Sequence, residues 1–255
     1  MNILCIGDVV GEPGCNFLEQ ELHKLKKYYM ADVVIVNGEN SAKQNGISES
    51  SAQQIYSSGA DVITTGNHVF KMRNVYDFLD NDPYIVRPAN YPPGTPGKGW
   101  CTVDKLHSEV CVINMLGTVF MDNLPNPFWE IDKILKQIKS KIIIIDFHGE
   151  ATSEKIAFAK YVDGQVSAVV GTHTHVQTAD ERILPKGTAF ITDLGMTGVK
   201  ESSLGVNVDQ VIEKFVTHMP TRFENAKGKC FLCGAVIEVD EKNGSAIKIE
   251  RIQIE

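Results

Sequence analysis

Eight residues of this 255-residue chain have side chains suited to a metal-dependent hydrolytic centre: Asp8, Glu39, Asn40, Asn67, His68, His148, His173 and His175. They occur as a carboxylate, a Glu-Asn pair, an Asn-His pair, a lone histidine and a His-x-His. Carboxylate, amide and imidazole donors, with no thiolate required, suit a pair of metal ions acting in hydrolysis. Taken singly, each cluster has a plainer explanation. Asn37-Gly38-Glu39-Asn40 and Gly66-Asn67-His68 are also ordinary turn sequences. Asp8 after a first strand could equally hold magnesium or a ribose. On a strand, His173 and His175 would face the same way and could share a metal or serve adjacent ones. Two polar residues at a strand exit explain them about as well. His148 closes a run containing four isoleucines, as a site residue or as a hydrogen-bonded core group. His23, His107 and His218 have no such neighbours and are assigned no function.

The clusters share a position. Residues 2–7, 32–36, 61–65, 141–147 and 167–170 are short β-branched runs that read as buried strands. Each runs into one of the clusters, and open α/β sheets bind ligands just outside the carboxyl ends of their strands. The eight side chains are therefore expected on one rim. Helical spacing or helix-start composition marks residues 17–30, 48–58, 74–80, 128–140, 154–162 and 208–219. Residues 91–99 form a Pro/Gly-rich loop. Residues 230–239 and 245–254, around Asn243-Gly244, read as a hairpin. The pattern is α/β with a mixed sheet, and the length fits a single domain over residues 1–255.

Composition narrows the function. The net charge is −7, with 25 basic against 32 acidic residues and no dense Lys/Arg run. Long nucleic acid is not an expected partner; a small anionic substrate is, if metal ions supply the positive charge. No secretory signal and no membrane span is expected. The six cysteines lie mostly in apolar runs, which fits reduced thiols and a cytoplasmic location. Cys230 and Cys233 have CxxC spacing, but on a strand they face opposite ways and read as core residues. Gly11-Glu12-Pro13-Gly14 has neither a dinucleotide fingerprint nor a P-loop Lys-Ser/Thr.

In combination and order, the motifs resemble the calcineurin-like metallophosphoesterase superfamily, and more closely its YmdB-like branch of cyclic-nucleotide phosphodiesterases. The matching stretches are residues 6–11, 37–40, 65–68, 147–155, 171–180, 193–198 and 220–224. Against the wider superfamily, Val10 replaces a usual histidine, Glu39 a usual bridging aspartate, and Val69 an acid after Gly-Asn-His. The resemblance implies a four-layer sandwich of two mixed β-sheets flanked by helices. It implies that Asp8, Glu39, Asn40 and His175 hold one metal, and Glu39, Asn67, His148 and His173 a second. A metal-activated hydroxide would then attack phosphorus while His68 protonates the leaving alkoxide. Iron fits best, manganese also suits, and zinc is not excluded. The implied substrates are 2′,3′- or 3′,5′-cyclic nucleotides, and the group suggests a homo-oligomer. Two other readings stay open: a phosphomonoesterase or protein phosphatase on the same centre, and a non-catalytic regulator that binds metal or nucleotide.

Overall fold

The β-branched runs form strands because a strand covered on both faces needs apolar side chains at nearly every position. The computed structural model describes residues 1–43, 45–105 and 108–255, so His107 lies outside the described residues. In chain order the strands are β1 (Asn2–Ile6), β2 (Asp8–Val9), β3 (Val33–Asn37), β4 (Val62–Thr64), β5 (Ile85–Val86), β6 (Trp100–Lys105) and β7 (Ser108–Leu116). They continue with β8 (Ile142–His148), β9 (Ala168–Thr172), β10 (Arg182–Ile183), β11 (Ala189–Ile191), β12 (Met196–Val199), β13 (Cys230–Val239) and β14 (Ala246–Ile254).

Among the described residues these strands make two sheets. One has the order β2-β12-β13-β1-β3-β4-β5, with β14 paired to β13; the other has the order β10-β11-β9-β8-β7-β6. Both are mixed. β1, β3, β4 and β5 run parallel, as do β7, β8, β9 and β11. β13 is antiparallel to β1, β12 and β14, and β6 and β10 are antiparallel edges.

Side chains alternate across each strand, which sorts the apolar residues into three layers. Ile3, Cys5, Val33 and Ile35 meet Val110, Val112, Ile142 and Ile144 between the sheets. Leu4, Ile6, Val34 and Val36 face out onto α1 (Gly11–Tyr28), α2 (Glu49–Ser57) and α3 (Tyr76–Asn81). Ile113, Ile145 and Val169 face out onto Ile131 of α4 (Pro127–Leu135) and Phe158 of α5 (Thr152–Tyr161). The layers are helix, sheet, sheet, helix.

Two helix boundaries differ from their apolar spacing. α1 begins at Gly11 rather than 17. Pro13 is tolerated in the first turn, where its missing N–H has no intrahelical partner to lose. Gly14 lets the helix lie against β12, since a Cβ there would sit 2.4 Å from the Thr197 carbonyl oxygen. No side chain caps this end, so the N-cap signal that marks α2 is missing here. α4 ends at Leu135, short of 140. By contrast, Ser48 caps α2 by accepting the Ser51 N–H, and the C-terminal hairpin turns through Gly244 at φ 80°. Cys230 and Cys233 are both free thiols. Among the described residues no helix is long and apolar enough to cross a membrane.

Candidate metal centre

Backbone pairing ends where a strand ends, and side chains there can turn into the space beyond the sheet. β2 opens with Asp8, β3 stops two residues before Glu39, and β4 stops just before Thr65-Gly66-Asn67-His68. β8 closes on His148 and β9 on Thr172, one residue before His173. The first three belong to one sheet and the last two to the other. The clusters therefore meet at the seam between two sheets, not on the rim of one.

All eight candidates converge there, around Glu39. Glu39 Oε1 lies 3.1 Å from His148 Nε2 and 3.2 Å from His68 Nδ1, and it accepts from Asn40 Nδ2 at 3.1 Å. Its Oε2 accepts the His68 backbone N–H at 3.1 Å. His148 Nε2 is also 3.2 Å from Asn67 Oδ1 and 3.1 Å from His173 Nδ1. On the opposite side, Asp8 Oδ2 accepts the His173 backbone N–H at 3.1 Å. His175 Nε2 lies 3.2 Å from Asn40 Nδ2 and 3.6 Å from Asp8 Oδ1. Glycine at 66 permits this crowding: a Cβ there would fall 2.1 Å from Glu39 Oε2 and 2.4 Å from His148 Cδ2.

Three features fit a bound cation. Glu39, His148 and His173 offer donor atoms that all lie within 4.8 Å of one another. Asp8 Oδ1 is fully buried with no hydrogen-bond partner among the described residues, a costly arrangement unless something positive meets it. The third is the way the imidazoles are tied from behind. His148 Nδ1 is 2.9 Å from Thr172 Oγ1, whose hydroxyl donates to Asp146 Oδ1 at 2.6 Å. His173 Nε2 is 3.0 Å from Glu150 Oε2, and His175 Nδ1 is 3.1 Å from the Leu204 carbonyl. An outer N–H donated to an acceptor fixes the tautomer and leaves the inner nitrogen's lone pair for a metal.

His173 and His175 are not on a strand: β9 stops at Thr172, and the histidines have φ of 98° and 64°. A left-handed loop, not strand alternation, brings both rings to the centre. His68 likewise sits in a turn beyond β4. Asn40 Oδ1, 2.9 Å from His68 Nδ1, and Glu39 orient it in place of the acid absent at Val69, which is buried in the outer core.

The residues behind the imidazoles were not found in the sequence. Asp193 fastens the histidine loop, accepting from Thr174 N at 3.1 Å, Thr174 Oγ1 at 2.7 Å and Gly195 N at 2.8 Å. It pairs at 2.8 Å with Lys155, a buried lysine on α5 that also donates to the Thr172 carbonyl at 2.7 Å. Asp146 had a usable signal, because a carboxylate inside an isoleucine run must find partners when buried. Lys155 had none.

Burial and neighbouring charges pull against each other within the cluster. Burial opposes ionisation of Glu39, yet His148 and His68 hold its carboxyl well below the usual range. Burial likewise opposes ionisation of Asp8, and His175 and His148 hold it low. For His148, burial is outweighed by Glu39, Asp8 and Asp146, which push the imidazole up to about 9. Burial raises Asp146 to about 6, against the opposing effect of His148 and its hydroxyl and amide donors.

The chain as a whole is similar to known proteins. The family model for YmdB-like proteins matches residues 4–252. A Bacillus subtilis (strain 168) protein named 2′,3′-cyclic-nucleotide 2′-phosphodiesterase is 49% identical, over 100% of this chain and 97% of its own length. The crystal structure of a novel phosphatase from Mycoplasma pneumoniae superposes with a TM-score of 0.95 at 36% identity, covering 100% of this chain and 93% of that one. A 5′-nucleotidase from Candida albicans SC5314 shares the fold alone, with a TM-score of 0.55 at 13% identity over 99% of this chain and 50% of that one. On the match along nearly its whole length, the chain belongs to the YmdB-like protein family.

Proposed function

We propose that this chain is a single-domain phosphodiesterase that opens cyclic nucleotides, 2′,3′-cyclic ones foremost and 3′,5′-cyclic ones second. It is an enzyme of the phosphoric diester hydrolase kind, in line with its relative's activity. The observation that carries the reading is the shared orientation of His148, His173 and His175, each tied behind by an acceptor. Asp8, Glu39, Asn40 and His175 would hold one divalent ion; Glu39, Asn67, His148 and His173 would hold the other. Iron or manganese suits these donors. Bound there, the ions supply Lewis acidity toward the phosphoryl group and acidify a water.

The remaining steps fall to the chain's own residues. Asn40 and Glu39 hold His68 Nδ1, which leaves Nε2 to give its proton to the departing ribose oxygen. For a 2′,3′-cyclic substrate that oxygen is O2′, and the product is a 3′-phosphate. Glu150 and Asp193 keep the histidine loop in register, and Thr172 with Asp146 does the same for His148. The chain acts in the cytoplasm on a small substrate.

The test is metal analysis together with turnover. The reading expects two ions per chain, and hydrolysis of 2′,3′-cyclic AMP well ahead of nitrophenyl phosphate. Glu39→Ala should lower both ions, and His148→Ala mainly one. Full two-ion occupancy in Glu39→Ala would refute the assignment of Glu39 to both sets of ligands. A preference for the monoester would favour a phosphatase instead.

A further inference from the structure

A groove of about 490 Å³ opens beside the centre, lined among others by Lys43, Asn45, Lys71, Val206, Arg222 and Phe223. Its walls are fastened to the site itself. Lys71 N–H donates to the His68 carbonyl at 2.9 Å. A Cβ on Gly46, next to Asn45, would sit 3.1 Å from that same carbonyl oxygen. On the other wall, Val206 lies two residues beyond Leu204, whose carbonyl holds His175. Asn225, also in the lining, presses its side-chain amide against Gly11, whose N–H donates to the Asn40 carbonyl at 2.8 Å. The groove's walls are thus tied through the backbone to the segments that carry His68, Asn40 and His175.

Its charge is out of keeping with the rest of the molecule. The chain carries a net −7, yet Lys43, Lys71 and Arg222 are all exposed here. None of the three makes an ion pair among the described residues. Glu224 is the one acid among the described lining residues. Phe223 stands 49% exposed beside Arg222, the kind of aromatic surface on which a base stacks. A cyclic mononucleotide has one phosphate, and the centre takes it. Three cations and an aromatic ring beyond the centre match a second phosphate and a second base.

We propose that this groove binds the next phosphodiester and base of a short oligoribonucleotide ending in a 2′,3′-cyclic phosphate. The substrate class is then an RNA 3′ end rather than a free mononucleotide. This rests on the diesterase reading above. No new chemical step is involved: water opens the terminal P–O2′ bond, the proton goes to O2′, and the internal linkage stays whole. The short stretch of cationic lining limits recognition to about the last two nucleotides, in keeping with the absence of a long basic stripe.

The experiment compares adenosine 2′,3′-cyclic phosphate, its 5′-phosphorylated form, and the diadenosine ending in a 2′,3′-cyclic phosphate. The wild-type metal-loaded enzyme should show kcat/KM about tenfold higher for the dinucleotide than for the mononucleotide, the scale of one charge-assisted contact. In Lys71→Ala/Arg222→Ala that ratio should fall to near one. A gain for the 5′-phosphorylated form equal to the dinucleotide's would overturn the base contact and leave only a phosphate site. A wild-type ratio near one, or a ratio unchanged in the double variant, would overturn the proposal. Calorimetry with the products, 3′-AMP and the dinucleotide 3′-phosphate, reads the groove without turnover. A dinucleotide advantage there, lost in the double variant, supports the groove even if neither cyclic substrate is hydrolysed, in which case the diesterase reading fails instead. Equal product affinities would count against the groove whatever the turnover.

Discussion

Thr172→Val is expected to weaken metal binding by roughly 10- to 100-fold, the usual effect of losing a partner behind a metal ligand. Valine nearly reproduces the shape of threonine, so the substitution removes the hydroxyl and little else. That hydroxyl accepts from His148 Nδ1 and donates to Asp146 Oδ1, and both of those groups are buried. Asp146 keeps Thr64 Oγ1 at 2.5 Å and Asn37 Nδ2 at 2.9 Å on its other oxygen, so its loss falls at the low end, about 1 kcal/mol. His148 Nδ1 has no other acceptor among the described residues, so its loss falls toward the high end, about 3 kcal/mol. Together they give on the order of 4 kcal/mol, which for a chain of this size is a fall in Tm of roughly 8–16 °C. Competition titration against a chelator, run beside thermal melts, measures both effects. Thr172→Ser retains the hydroxyl and should recover most of each. A folded Thr172→Val protein that melts early but binds metal with unchanged affinity would refute the claim that Thr172 orients His148 for a metal.

His68→Ala should keep both ions and lose about 10²–10⁴-fold in rate on cyclic nucleotides, but much less on a nitrophenyl diester, whose leaving group needs little protonation; an equal loss on both would mean that His68 positions phosphate. Lys155→Met should destabilise by about 3–5 kcal/mol, because it leaves Asp193 buried without its cation, and denaturant melts that show under 1 kcal/mol would contradict this. The metal-free protein should respond to pH through His148, whose folded value of about 9 lies above the ordinary 6.5. Its contribution is complete below pH 6.5 and is lost as pH rises through about 9, on the order of 3 kcal/mol in all. Metal binding must displace that proton, so calorimetry near pH 7.5 in buffers of different ionisation enthalpy should show about one proton released per chain from this residue; buffer-independent heats would contradict the charged His148.

How much of this could be read from the sequence depended on whether a signal is local. β1, β3, β4, β8 and β9 announced themselves because buried parallel strands must be apolar throughout, and the clusters at their ends were visible for the same reason. What periodicity did not supply was the split into two sheets, since a strand's partner lies far off in sequence; Asn114 of β7 donates to the Asp146 carbonyl in β8, and Asn37 of β3 reaches Asp146 across the seam. The resemblance supplied that instead. α5 shows the converse difficulty. Its buried face carries Glu154 and Lys155, so the helix looks less amphipathic than it is, and a lysine is the last residue expected in a core. The histidine loop misled for a different reason: i, i+2 spacing has the same appearance on a strand as in a left-handed turn.

Under the proposed function, that turn sets stability and catalysis against each other. At φ of 98° and 64°, His173 and His175 occupy backbone regions that glycine enters freely and other L-residues enter at roughly 1–2 kcal/mol each. Judged by the fold alone, glycine is the better residue at both positions. Selection of this chain for heat resistance without selection for activity should therefore drift toward glycine there, yielding proteins that melt later and no longer hold metal. Histidine at these two positions is thus a choice made against the backbone, and it marks where the chain's sequence answers to chemistry rather than to folding.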